Sequence, residues 1–137
     1  MTTSPAAELQ KAVFAALAND AALIGALGGA KIYDDAPVHA GFPYVTFGLT
    51  SVYDWSTSTE SGAEQLFTLH VWSKAHGKAE ALKIMEAMRA ALDEESLTLD
   101  SHHLVSLRFE YAEVRFDDDL IVYHGLLRYR ALTEAAD

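Results

Sequence analysis

Six histidines and twenty acidic residues direct attention first to metal ligation and to acid–base chemistry. His70 and His124 each fall in the middle of an alternating segment, beside aromatic residues. If those segments are neighbouring strands, the two rings can meet, with Glu64 or Asp54 as a further ligand. A ligating site needs three convergent groups and a supporting shell. Structural histidines with satisfied hydrogen bonds are therefore the competing reading. His102 and His103 are adjacent, and neighbours on a strand point to opposite faces, so one ion is not easily shared. Asp117, Asp118 and Asp119 are consecutive, whereas calcium loops alternate their ligands and close with a distant Glu, so a solvated turn is expected. His76-Gly77-Lys78 reads as the region capping a helix.

Nucleophilic and phosphate chemistry find less support. Cysteine is absent, which removes thiolate nucleophiles, thiolate metal sites and disulfides. Ser61-Gly62 is the nearest thing to a nucleophile turn, but no G-x-S-x-G occurs. Gly28-Gly29-Ala30-Lys31 closes a helix rather than following a strand, so it is no phosphate loop. No carboxylate pair sits among apolar residues as a poised proton donor would. The residues predict no catalytic machinery, no cofactor and no bound metal.

Composition sets the frame around these side chains. A chain of 137 residues is the size of one domain, expected here to span 1–137. Half of it is hydrophobic and 22% is charged, a globular balance. The net charge of -10 disfavours phosphate backbones as a general ligand. The nearest approach to a basic cluster is Arg108, Arg115, Arg128 and Arg130. No basic and apolar leader opens the sequence, and no run approaches the roughly 18–20 apolar residues of a membrane span, so no membrane partner is expected.

The elements that must position these residues are legible as periodicity. Ser4 caps a helix that begins at Pro5 and carries Leu9, Val13, Ala16 and Leu17 on one face. Asp20 caps a second piece, Ala21 to Leu27, which Gly28-Gly29 terminates. Lys31 to Tyr33 is a short extended piece, and Asp34 to Pro43 a loop. Tyr44 to Val52 alternates as a strand with Val45, Phe47 and Leu49 inward. Tyr53 to Gly62 reads as a long mobile hairpin loop. Ala63 to Ser73 is a strand with Phe67, Leu69 and Val71 inward. Ala75 to Leu92 is a helix with Leu82, Met85, Met88 and Leu92 as its inner stripe, ended by Asp93-Glu94-Glu95. His103 to Arg115 places Val105, Leu107, Phe109 and Tyr111 on one face. Leu120 to Thr133 returns as the last strand, and Glu134 to Asp137 is a tail. The order α, β, β, α, β, β predicts an α+β fold: a four-stranded, mostly antiparallel sheet with helices packed on one face.

Such a sheet should be polar on its other face. Here that face carries Tyr44, Leu66, Trp72, Val122, Leu126 and Leu132. Exposed apolar surface on that scale marks an interface, unless the N-terminal helix wraps around to cover it.

The order and spacing of KIYDDAP, FPYVTFG, EQLFTLHVWS and DDDLIVYHGLLRYRAL resemble the tail-completion or tail-terminator proteins of long-tailed phages and phage-like gene transfer agents, from about Glu8 to Glu134. The specific pieces are Pro43-Tyr44-Val45, His70-Val71-Trp72-Ser73 and Tyr123-His124-Gly125. The resemblance implies a structural virion protein rather than an enzyme, assembled in the bacterial cytoplasm. It implies a homo-oligomer, a hexameric ring at the head-proximal end of the tail, capping the tail tube and joining tail to head. Its partners would be the tail tube protein and a head–tail connector or neck protein, with DNA passing through the lumen without specific binding, which the negative charge suits. The interface candidates are Trp55, Trp72, Tyr44 and Leu66, with Asp54, Glu60, Asp117, Asp118 and Asp119 as rim contacts. Core packing is the alternative for each Trp. The rival functions are a small metal-dependent enzyme using His70 and His124, and a monomeric adaptor protein.

Overall fold

The computed structural model describes residues 4–93 and 97–135. Helix α1 spans Pro5–Ala18, opened by the Ser4 hydroxyl accepting from the Ala7 amide at 3.1 Å, as the sequence predicts. Helix α2, Ala21–Leu27, is capped by Asp20, whose carboxylate accepts from the Leu23 amide at 2.9 Å. Gly28 then takes the left-handed conformation at φ 77° and ends it. Strands β1 (Ile32–Tyr33), β2 (Tyr44–Asp54) and β3 (Gly62–Ser73) precede helix α3 (Ala79–Asp93). Strands β4 (His102–Asp117) and β5 (Val122–Ala135) complete the chain.

The sheet has five strands rather than four, in the order β1-β2-β3-β5-β4. The extra strand is the short extended piece, which pairs parallel to β2 through Ile32↔Val45 and Tyr33↔Thr46. Two residues carry too little periodicity to announce a strand; only the neighbour's backbone defines it. All other pairings are antiparallel. The helices lie on one face, as expected: Leu9, Val13 and Leu17 of α1, Leu23 and Leu27 of α2, and Ile84, Met85 and Met88 of α3 share one core with Val45, Leu69, Val71, Leu127 and Tyr129. The N-terminal helix therefore does not wrap to the other face.

Several expectations need correction, and bulges explain most of them. A bulge between Phe47 and Thr50 of β2 shifts the alternation, so Leu49 faces solvent, 72% exposed, instead of joining Val45 and Phe47. In β4, irregularities at Leu104/Ser106 and Phe109/Tyr111 leave Leu107 and Phe109 against the core but turn Val105 and Tyr111 outward. Strand β2 runs on to Asp54, so the hairpin loop shrinks to residues 55–61 and is tied internally, Thr57 N to Glu60 O at 2.8 Å and Gly62 N to Ser56 Oγ at 3.0 Å. Strand β5 begins later than expected and continues into the supposed tail, with Glu134 paired to Gly62 and His103. Helix α3 starts at Ala79 rather than Ala75, after Gly77 at φ 99°. Its buried stripe runs through Ala81, Ile84, Met85, Met88, Ala91 and Leu92, leaving Leu82 half exposed. Glu94 and Glu95, read as the helix stop, and the last tail residues lie outside the described residues.

A buried acid ties helix α1 to the start of strand β4. Glu8 of α1 is 2% exposed and accepts from the Ser101 amide at 2.7 Å, from the Ser101 hydroxyl, and from His102 Nδ1 at 3.1 Å. Burial alone would raise its pKa, but these donors to the carboxylate outweigh it and hold the group down at about 2. A carboxyl depressed in the folded state stabilises fully above its unfolded pKa and loses that contribution as pH falls toward the folded value. The stability curve should therefore fall between about pH 4.5 and 2. Glu8→Gln should lower the melting temperature at pH 7 and shallow the fall over that window, measured by thermal denaturation at a series of pH values.

Candidate interface on the open sheet face

Alternation along β3 and β5 sends Glu64, Leu66, Thr68, His70 and Trp72 to the face opposite the helices, together with Val122, His124, Leu126, Arg128, Arg130 and Leu132. In register, Trp72 stands opposite Tyr44 on one side and opposite His124 on the other. The result is a run of rings along one end of the open face. The indole of Trp72 stacks on His124 with centroids 4.1 Å apart and planes 4° from parallel, and His124 stacks on His70 at 4.8 Å. Tyr44 lies 6.5 Å from Trp72 and 6.0 Å from Tyr33. The indole N–H donates to Thr46 Oγ1 at 3.0 Å. Aromatic side chains with one satisfied polar tip suit a surface that is dry on contact and tolerable in water before it. Tyr44, Leu66, Trp72, Leu126 and Leu132 are all half-buried by one another and by β-neighbours, while Val122 is buried at 2%.

The two histidines do meet. His70 Nδ1 and His124 Nε2 are 2.6 Å apart, one donating to the other. The carboxylates offered as further ligands are elsewhere: Asp54 is at the far end of β2, accepting from Ser56, and Glu64 reaches toward Arg130 at 4.0 Å. No group of three metal-ligating side chains converges among the described residues. Burial lowers the pKa of His70, and the neighbouring ring lowers it further. Burial and then Arg115 lower that of His124, against Asp117 and Glu113, which raise it. Both shifts favour the neutral rings, and the contact needs one ring to donate an N–H and the other to accept it.

Charge occupies the other half of this face. Glu110 receives Arg130 at 3.1 Å and Arg128 at 3.9 Å, and Arg128 lies over the Tyr111 ring at 5.1 Å. The four arginines singled out in the sequence do share a face, with Arg108 directly opposite Arg130 and Arg115 opposite His124. Alternation along β4 already puts Glu110 on the same side as Arg108, but which arginines it meets, Arg128 and Arg130, depends on the β4–β5 register.

The remaining interface candidates separate into two ends. Asp117 sits in the β4–β5 turn, accepting from the Asp119 and Leu120 amides at 3.0 Å, with Asp118 and Asp119 exposed beside it. This turn is at the same end as Tyr44 and Trp72, since Asp117 pairs with Val122 and Tyr123 pairs with Ser73. Asp54, Trp55 and Glu60 are at the opposite end of the sheet, beyond the Asp54↔Ala63 pair. Trp55 is 40% exposed and packs over Gly62, where a Cβ would lie 2.8 Å from its ring. Ser56 holds the Asp54 carboxyl below its usual range through its hydroxyl and its amide.

Two outcomes test this geometry. Gly48, at the β2 bulge, lies so close to His70 and Thr68 that an added Cβ would collide with both side chains. Gly48→Ala should cost about 1–3 kcal/mol in urea unfolding, the usual penalty of overpacking. Histidines held neutral in the fold stabilise above the unfolded pKa of about 6.5, and that contribution is lost as pH falls below it. Lowering pH from 7.5 to 5.5 should reduce stability and perturb the fluorescence of Trp72, and the double variant His70→Gln/His124→Gln should remove most of the slope.

Comparison with known proteins places this arrangement in a lineage. Residues 11–134 match the family described as tail completion protein gp17. A solved chain from the virion of a native gene transfer agent particle is 32% identical, with a TM-score of 0.88 over 98% of this chain and 100% of that one. The gp17 protein of bacteriophage SPP1 is 22% identical, with a TM-score of 0.62 over 96% and 90% of the two chains, a likeness of fold. Among curated proteins, none matches. The chain belongs to the tail completion protein gp17 family.

Proposed function

We propose that this chain is the tail terminator of a phage-like particle. It is a structural virion component that closes into a hexameric ring at the head-proximal end of the tail, caps the tail tube and presents the surface that joins tail to head. The observation that carries the reading is the family match over residues 11–134, joined to the full-length likeness to a chain of a gene transfer agent virion. That likeness also favours a gene transfer agent particle as the setting. The chain works without catalysis or cofactor, and its partners are further copies of itself, the tail tube protein and a neck or connector protein. DNA passes the ring without specific contact, which the net charge of -10 supports.

The geometry of the open face fits a part that works by contact. Its aromatic half is satisfied internally and offers ring faces, and its charged half is organised around Glu110. The histidine pair is engaged in its own hydrogen bond. The metal-dependent alternative would need a third ligand, and the adaptor alternative would need no self-association.

Native mass spectrometry of the purified chain, alone and with tail tube protein, separates these readings. The expected result is a closed hexamer, formed alone or on addition of tube protein. A persistent monomer that ignores tube protein would overturn the ring, and stoichiometric zinc in that monomer would favour the metal-dependent alternative.

A further inference from the structure

The turn between β4 and β5 holds a backbone conformation that its residue disfavours. Ile121 stands at φ 55°, in the left-handed region. Glycine and asparagine adopt that region readily, whereas a β-branched side chain there strains the backbone. Burial does not force the position, because Ile121 is 71% exposed and its neighbour Leu120 59%. Two adjacent aliphatic side chains are thus held out at the tip of the hairpin, beyond its last pair, Asp117↔Val122. The tip is also braced. The Asp117 carboxylate accepts from the Asp119 and Leu120 amides, each at 3.0 Å. The rings of Phe116 and Tyr123 meet just behind it, with centroids 5.1 Å apart. The fold itself gains little from isoleucine at this strained, exposed position, which directs attention to contact.

Charge and size say what such a tip fits. Asp118 and Asp119 are exposed beside the two aliphatic residues, and no Lys or Arg occurs from Phe116 to Leu127. The cations next along the strands are Arg115, two pairs back on β4, and Lys74, which follows the Ser73↔Tyr123 pair and lies over the Phe42 ring at 4.6 Å. The complementary surface is an apolar socket with a cationic rim. Three clefts of this chain are large enough for two aliphatic side chains, and none of the three offers that rim. One of about 280 Å3, at the far end of the sheet, is lined by Asp54 and Glu134 without Lys or Arg. One of about 370 Å3, beside α1, carries Asp20 without Lys or Arg. The third, about 460 Å3 between α3 and β4, sets Glu86 beside Arg89, whose guanidinium already lies on the Phe109 ring at 3.8 Å. With a net charge of -10, a second copy is also the less favourable partner for an acidic tip. We propose that the Leu120–Ile121 tip is a preformed plug for an apolar, cation-rimmed socket on a different protein of the particle. This rests on the tail-joining reading above and deepens it: the plug serves the contact with a tail tube or neck protein, not the contact between copies.

Titration of the full chain with purified tail tube protein, and separately with purified neck protein, tests this. Ile121→Asn suits the left-handed backbone and removes the aliphatic group. It should raise the melting temperature and yet weaken binding to one of the two proteins by about tenfold or more. The double variant Asp118→Lys/Asp119→Lys leaves the Asp117 acceptor in place, so it should melt near the wild type and weaken the same binding. Association between copies, read by native mass spectrometry, should be unchanged in both variants. Binding by either variant equal to that of the wild type overturns the plug. So does a loss confined to association between copies, which would put the socket on a second copy, and so does a lowered melting temperature of Ile121→Asn, which would give the isoleucine to the fold. The tail-joining reading survives each of these results. A wild type that binds neither protein overturns the plug and the tail-joining reading together.

Discussion

The antiparallel pairing of β3 with β5, unbroken from Gly62↔Glu134 to Ser73↔Tyr123, is the constraint on which the rest of the molecule depends. These two strands form the centre of the sheet, and the alternation along them is free of bulges. One set of residues, Phe67, Leu69, Val71, Leu127, Tyr129 and Ala131, faces the helices and forms the floor of the core. Phe67 and Tyr129 stack there at 5.5 Å, and Gln65 donates to Thr133 at 3.2 Å across the same pair of strands. Gly125 belongs to this set for a steric reason: a Cβ there would lie 2.6 Å from Met85 Sδ, so the glycine lets α3 settle against the sheet. The opposite set becomes the open face. The same register that buries the core therefore also brings His124 onto Trp72 and beside His70.

That division of labour accounts for the aromatic and charged residues gathered on the open face. The helices use up one face of the sheet, and nothing among the described residues covers the other. The aromatic end is held in place by hydrogen bonds and stacking before any partner arrives, so little side-chain entropy remains to be lost on contact. The charged half is a set of surface ion pairs, each worth little to stability. Where charged groups of this kind lie at an interface, they act on the choice and orientation of the partner more than on stability. Membership of a tail completion family gives this design a setting, that of a structural part of a phage-like tail.

How much of this was legible in the sequence depends on how local the cause is. The Ser4 and Asp20 caps and the Gly28 stop act within one turn, and each is readable from the residues alone. The unbulged strands β3 and β5 kept their alternation, so their inner and outer faces were legible too. Strands β2 and β4 were not, because bulges at Phe47/Thr50, Leu104/Ser106 and Phe109/Tyr111 reverse the parity and leave no mark in composition. Pairing partners far apart in the chain were equally hidden. Glu8 finds Ser101 and His102 across 93 residues or more, and the contact between His70 and His124 becomes visible only once the register is known. The resemblance to tail completion proteins was legible in the order and spacing of short segments along the chain rather than in any one motif.

The central claim is that this chain ends the tail and joins it to the head, and electron microscopy of particles assembled without it is the most direct test. With the coding sequence deleted and the other structural genes intact, the account predicts tails of extended and variable length lying free beside filled heads, and restoration of joined particles on adding the purified chain. Joined particles with tails of normal length, assembled in its absence, would contradict it.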